Sequence, residues 1–115
     1  MSTKIKKYSK EEYMEMVGSA LNKVLNNSCI IIFFGSILDE RFSRTSDIDV
    51  GIYCGRKLSG EEYTKILDEI DRLPILREVD IIDIYQIKNK NFLKNILKGK
   101  VWKNIPELWK NLENY

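Results

Sequence analysis

Six consecutive apolar residues, Cys29-Ile30-Ile31-Ile32-Phe33-Phe34, run straight into Gly35. β-Branched and aromatic side chains favour extended backbone. The run is too short for a typical helix and a glycine ends it, so it predicts a strand. A strand that is apolar at every position is buried on both faces. The chain must therefore supply partner strands and cover for it within 115 residues.

The flanking segments carry those signals. Ser9-Lys10-Glu11-Glu12 is a capping box. Behind it Tyr13, Val17, Ala20, Leu21 and Val24 recur at helical spacing, predicting a first helix to about residue 27. Residues 37–42 read as a short helix and residues 47–54 as a second strand. Ser59-Gly60-Glu61-Glu62 is a second capping box, and Tyr63, Ile66, Leu67, Ile70 and Leu73 form a helical stripe that Pro74 stops. Residues 79–87 read as a third strand, and residues 91–98 as a helix with Gly99 at its C-cap. Val101-Trp102 suits a short edge strand. Ile105, Leu108, Trp109 and Leu112 share one face of a last helix. That stripe either packs on the core or leaves Trp109 to dock a partner; on the second reading residues 106–115 are removable without unfolding the chain. The order of elements predicts one domain over residues 1–115, of α/β (α+β) class, with a small mixed β-sheet backed by helices.

Composition narrows the chemistry. Hydrophobic residues make up 43% and charged residues 31%, which is globular and not disordered. A net charge of +2 gives no general ground for nucleic-acid binding. Lys4, Lys6 and Lys7, and the lysines between Lys88 and Lys110, read as solvated surface. No histidine is present, which excludes histidine triads, histidine bases and histidine-ligated zinc. Cys29 and Cys54 read as two buried thiols. No apolar run reaches membrane-spanning length and no signal-peptide core is visible, so a cytoplasmic location is expected, without a membrane partner.

The acids supply the functional signal. Residues i and i+2 of a strand share a face, so Asp47 and Asp49 project together while Ile48 and Val50 point to the core. Two carboxylates that close repel unless a cation lies between them. Mg²⁺ suits hard oxygen donors and completes its shell with water and substrate phosphate. Gly35-Ser36 follows the buried strand, where glycine permits a sharp turn and a helix start would offer free N–H groups to phosphate. In Val79-Asp80-Ile81-Ile82-Asp83 the two acids face opposite sides. Beside the second strand, Asp80 would complete a three-acid metal site.

Gly35-Ser36, ten residues, then Asp47-Ile48-Asp49 resembles the GS-x10-D-x-D signature of the DNA polymerase β-like nucleotidyltransferase superfamily. Ser46 before the first aspartate and Val79-Asp80-Ile81-Ile82-Asp83 resemble its minimal nucleotidyltransferases, including the antitoxins of HEPN/MNT toxin–antitoxin pairs. The resemblance implies the palm-like nucleotidyltransferase fold. It implies that Gly35 and Ser36 hold the β- and γ-phosphates, that Asp47 and Asp49 ligate two Mg²⁺ (or Mn²⁺), and that Asp80 completes the shell of one of them. Family members often carry an arginine just after the Gly-Ser pair. Here Ile37-Leu38-Asp39-Glu40 stands there, and Arg41 and Arg44 are the candidates to supply the missing positive charge.

By the same resemblance, the expected activity is transfer of AMP from ATP to a hydroxyl, a tyrosine of a HEPN-domain toxin, with this chain as antitoxin. Its alternative is neutralisation of the HEPN ribonuclease by binding alone.

Overall fold

The structure is a computed structural model that describes residues 7–113. Helix α1 (Lys10–Leu25) starts where the Ser9 hydroxyl accepts the Glu12 amide and the Glu12 carboxylate accepts the Ser9 amide. It ends at Asn26, whose left-handed backbone is one that asparagine tolerates. Ser59 and Glu62 form the same reciprocal cap on α2 (Gly60–Asp71). Asn89 caps α3 (Lys90–Leu97), and α4 spans Pro106–Glu113.

The apolar run is β1 (Ile30–Phe34), buried along its whole length. Strand β2 (Ile48–Tyr53) and the short β4 (Lys100–Lys103) flank it antiparallel, and β3 (Val79–Asp83) lies parallel to β2. The order β3-β2-β1-β4 makes a mixed sheet, with α2 as the crossover that a parallel pair requires. Ile31, Phe33, Ile48, Val50 and Ile52 pack against α1 and α2. Ile30, Ile32 and Phe34 pack with Leu93, Ile96 and Leu112 of α3 and α4. The expected small mixed sheet backed by helices is thus observed, with one helical layer on each face. Gly18 in mid-helix is explained by Trp102 of β4, whose ring lies where a Cβ would be.

Four expectations change. Residues 37–42 do not form a helix: a 3-10 turn covers Gly35–Leu38, and Asp39 is extended. The Asp39 carboxylate accepts the Arg41 amide at 2.9 Å, a local bond that competes with helix propagation. The third strand stops at Asp83, whose carboxylate accepts the Tyr85 amide and starts a second 3-10 turn (Ile84–Gln86). Gly99 is not a left-handed cap; it is required because the Phe33 carbonyl approaches where its Cβ would stand.

Cys29 and Cys54 are not two free thiols but a disulfide. The β1–β2 register sets them directly opposite, with Cα atoms 4.4 Å apart, the spacing of a non-hydrogen-bonded antiparallel pair. The free-thiol part of the cytoplasmic expectation goes with this bridge. No helix among the described residues is long and apolar enough to cross a membrane.

The α4 stripe is core: Leu112 is 2% exposed, and Ile105, Leu108 and Trp109 pack against the same cluster. Lys4 and Lys6 of the basic N-terminus lie outside the described residues, as do the last two residues of the proposed truncation.

Candidate active site

The parallel register of β2 and β3 places Asp49 directly beside Asp80. Neighbours in register share a face, so both carboxylates leave the sheet on the same side. Burial pushes the Asp49 carboxyl above its ordinary value. The negative charge of Asp80, a hydrogen bond with Asp80, and the charge of Asp47 push it further in the same direction. No ion pair among the described residues engages Asp47, Asp49 or Asp80. The chain therefore gathers like charges without a cation of its own.

Asp47 stands just ahead of β2 and is exposed. Among the described residues no group of three acid, cysteine or histidine side chains is placed to hold a metal ion, so the expected three-acid arrangement is not formed. What the structure brings together is an open pair, Asp49 and Asp80, with Asp47 near enough for its charge to be felt. Hard oxygen donors, like charges unrelieved by a base and open coordination positions fit Mg²⁺ or Mn²⁺. Mg²⁺ commonly uses one or two carboxylates and leaves the rest of its shell to water and phosphate.

Gly35 closes the site from β1. Phe34 lies opposite Asp49 in the β1–β2 register, so the next residue turns over the Asp49 carboxylate. Gly35 has φ +80°, and an added Cβ would collide with Asp49 Oδ2. Glycine is needed here on both counts. Ser36 follows in the 3-10 turn, half-buried, and its hydroxyl makes no hydrogen bond among the described residues. The Gly-Ser pair and the aspartates thus meet at one end of the sheet.

The two arginines differ. Arg41 Nε and Nη2 donate to both oxygens of Asp39, at 2.8 to 3.1 Å. This pairing holds the Asp39 carboxyl down at about 2. Arg44 is exposed and makes no hydrogen bond or ion pair among the described residues. Asp83 is occupied structurally: Oδ2 accepts the Leu58 amide and Gln86 Nε2, both at 3.0 Å.

The family model described as Polymerase beta, Nucleotidyltransferase matches residues 18–105, well over half of the chain. The chain belongs to the polymerase beta nucleotidyltransferase family. The match runs from mid-α1 to the residue before α4, so it takes in the Gly-Ser turn and all three aspartates. A search of curated proteins returns no match. Membership in this nucleotidyltransferase family makes the chain a transferase of nucleotidyl groups, and members generally use a nucleoside triphosphate and divalent metal.

One residue of this nucleotidyltransferase site escapes sequence reasoning. Arg77, three residues before Asp80, donates through Nη1 to the Ser43 carbonyl at 2.5 Å and the Ser46 carbonyl at 2.7 Å. Its guanidinium stacks on Phe42 (4.0 Å) and Tyr13 (4.9 Å). Its sequence signal is faint: a single arginine after Ile75-Leu76, on the approach to a strand.

Proposed function

We propose that this chain transfers AMP from ATP to a hydroxyl group, a tyrosine of a HEPN-domain protein, and thereby acts as its antitoxin. The observation that carries the reading is the apposition of Asp49 and Asp80 beneath the Gly35 turn. In this reading Asp47, Asp49 and Asp80 hold Mg²⁺ or Mn²⁺. Bound metal supplies charge stabilisation and a lowered hydroxyl pKa. Gly35 and Ser36 bind the β- and γ-phosphates, Gly35 by letting phosphate approach bare backbone and Ser36 through its uncommitted hydroxyl. Arg44, not the Asp39-bound Arg41, is the cation available to the triphosphate. The acceptor hydroxyl gives up its proton to solvent, its oxygen forms a bond to the α-phosphorus, the bond from that phosphorus to the α–β bridging oxygen breaks, and pyrophosphate leaves. Asp47 and Asp80 are both exposed, which suits an acceptor presented by a macromolecule.

The acidic segment after the Gly-Ser pair is the ground for a binding-only antitoxin. The Arg41 clamp on Asp39 weakens that ground, because the acid nearest the turn is already neutralised. The test is incubation with radiolabelled ATP, Mg²⁺ and a purified HEPN protein, read by label transfer and by mass spectrometry at tyrosine. An AMP adduct on tyrosine supports the proposal. A tight complex without an adduct replaces it with the binding-only role, and an adduct elsewhere changes the acceptor.

A further inference from the structure

Arg77 does an unusual job for a cation in a domain with many carboxylates: among the described residues no acid pairs with it. Its Nη1 instead bridges two main-chain carbonyls, Ser43 and Ser46. Its Nε is buried without a hydrogen-bond partner among the described residues, and the guanidinium is flanked by Phe42 and Tyr13. A guanidinium held by ring faces retains its charge and its fork geometry, which a lysine would not reproduce.

The two carbonyls belong to the turn that delivers the chain to Asp47. Within that turn the Ser46 amide donates to the Ser43 carbonyl at 3.2 Å, and the Ser43 amide donates to Ser46 Oγ at 2.9 Å. Arg77 caps it from outside. On the β3 side, the Glu78 carbonyl accepts the Ile48 amide at 2.9 Å, one residue after Arg77 and one residue after Asp47. Thus Arg77 and Glu78 together stitch the entrance of β2 to the entrance of β3. The stitched segments end in the three carboxylates, Asp47 and Asp49 on one and Asp80 on the other. Lys10 Nζ adds a tie to the Asp39 carbonyl at the other end of the loop, but it reaches none of the aspartate-bearing segments.

We infer that Arg77 is a positioning residue for nucleotidyl transfer: by clamping the 43–46 turn it fixes Asp47 relative to the Asp49–Asp80 pair, and so sets the site's affinity for metal-bound nucleotide. The inference rests on the metal-and-triphosphate reading of the site. It extends that reading to a side chain outside the motif, touching neither phosphate nor metal.

The test uses the whole chain and two variants, Arg77→Lys and Arg77→Gln. ATP affinity is measured by calorimetry with and without Mg²⁺, beside thermal melting. Mn²⁺ binding without nucleotide is followed by electron paramagnetic resonance. Both variants should bind metal-free ATP like the original chain, because the Gly35 turn is untouched. The gain in affinity on adding Mg²⁺ should fall about tenfold, the loss usual when a residue that orients metal ligands is removed. Mn²⁺ affinity should fall in parallel. Variants that melt earlier but keep the full Mg²⁺ gain and Mn²⁺ affinity overturn the inference, leaving Arg77 a structural residue only. A native chain with no Mg²⁺ gain overturns the reading of the site itself, and the inference with it.

Discussion

The carboxylate of Asp49 fills the space that a Cβ on Gly35 would need. The glycine of the first motif and the aspartate of the second are therefore one packed unit, although fourteen positions separate them (35 to 49). Gly35→Ala should lower stability by about 1–3 kcal/mol, through a left-handed backbone and the collision with Asp49. Because the collision moves a candidate metal ligand, nucleotide affinity should fall as well. Urea unfolding and ATP calorimetry on the same preparation check both; a variant with native values in each would sink the argument.

Asp49→Asn should separate stability from activity. Burial first, then Asp80 and Asp47, make the charged form of Asp49 unfavourable in the folded chain. With its pKa raised, the carboxylate opposes folding in full above that raised value, and the opposition fades as pH falls from there to the ordinary 3.8. A neutral side chain of the same size removes the repulsion, so the melting temperature in metal-free buffer should rise. Transfer activity should drop by roughly two orders of magnitude or more, since metal charge stabilisation is worth several kcal/mol. A lower melting temperature would show that Asp49 holds the fold by bonds that charge repulsion does not outweigh.

Asp80→Asn and Asp83→Asn should behave oppositely. Asp80 is exposed, and its neighbour in register is another acid, so its loss should spare the fold and remove activity. Asp83 accepts from Leu58, Tyr85 and Gln86, so its loss should cost about 1 kcal/mol, as for other caps, with activity largely kept. Label transfer and thermal melting of both variants decide it. The reverse pattern would reassign the third carboxylate.

Acid should reveal the second helix cap. The Arg56 guanidinium, then the Ser59 amide, hold the Glu62 carboxyl at about 2, against an ordinary 4.5. A depressed carboxyl stabilises the fold above 4.5, and that contribution is lost as pH falls from there towards about 2. Over this window Glu62→Gln should show a shallower decline in urea midpoint than the native chain. Asp39 titrates over a similar range, so some decline remains in the variant. Parallel curves would mean that the Arg56 pairing contributes nothing.

The last helix should prove indispensable. Leu112 is 2% exposed among Leu93, Ile96 and Tyr53, so Leu112→Ala should cost about 2–5 kcal/mol. Deleting residues 106–115 should unfold the α3 side of the sheet, seen as lost cooperativity in circular dichroism. A truncated chain that melts cooperatively would return α4 to the role of a docking element.

The elements that local pattern decides were legible in the sequence. The apolar run of β1, the two capping boxes and the Gly-Ser to Asp-x-Asp spacing each depend on residues within a few turns of one another. They set the fold class and the family. Register and pairing were not legible, because they depend on which strands meet. The choice of Asp80 over Asp83 was conditional on β3 lying beside β2, and only the parallel register supplied that pairing and set Asp80 next to Asp49. Placing β1 antiparallel to β2 joined Cys29 to Cys54, which composition alone had read as two thiols. Arg41 and Arg44 read alike as candidate cations in the sequence, and only folding of the loop gave Arg41 to Asp39. Arg77 was silent in the sequence because its partners are main-chain carbonyls and ring faces more than thirty positions away, and only the tertiary structure brings those together.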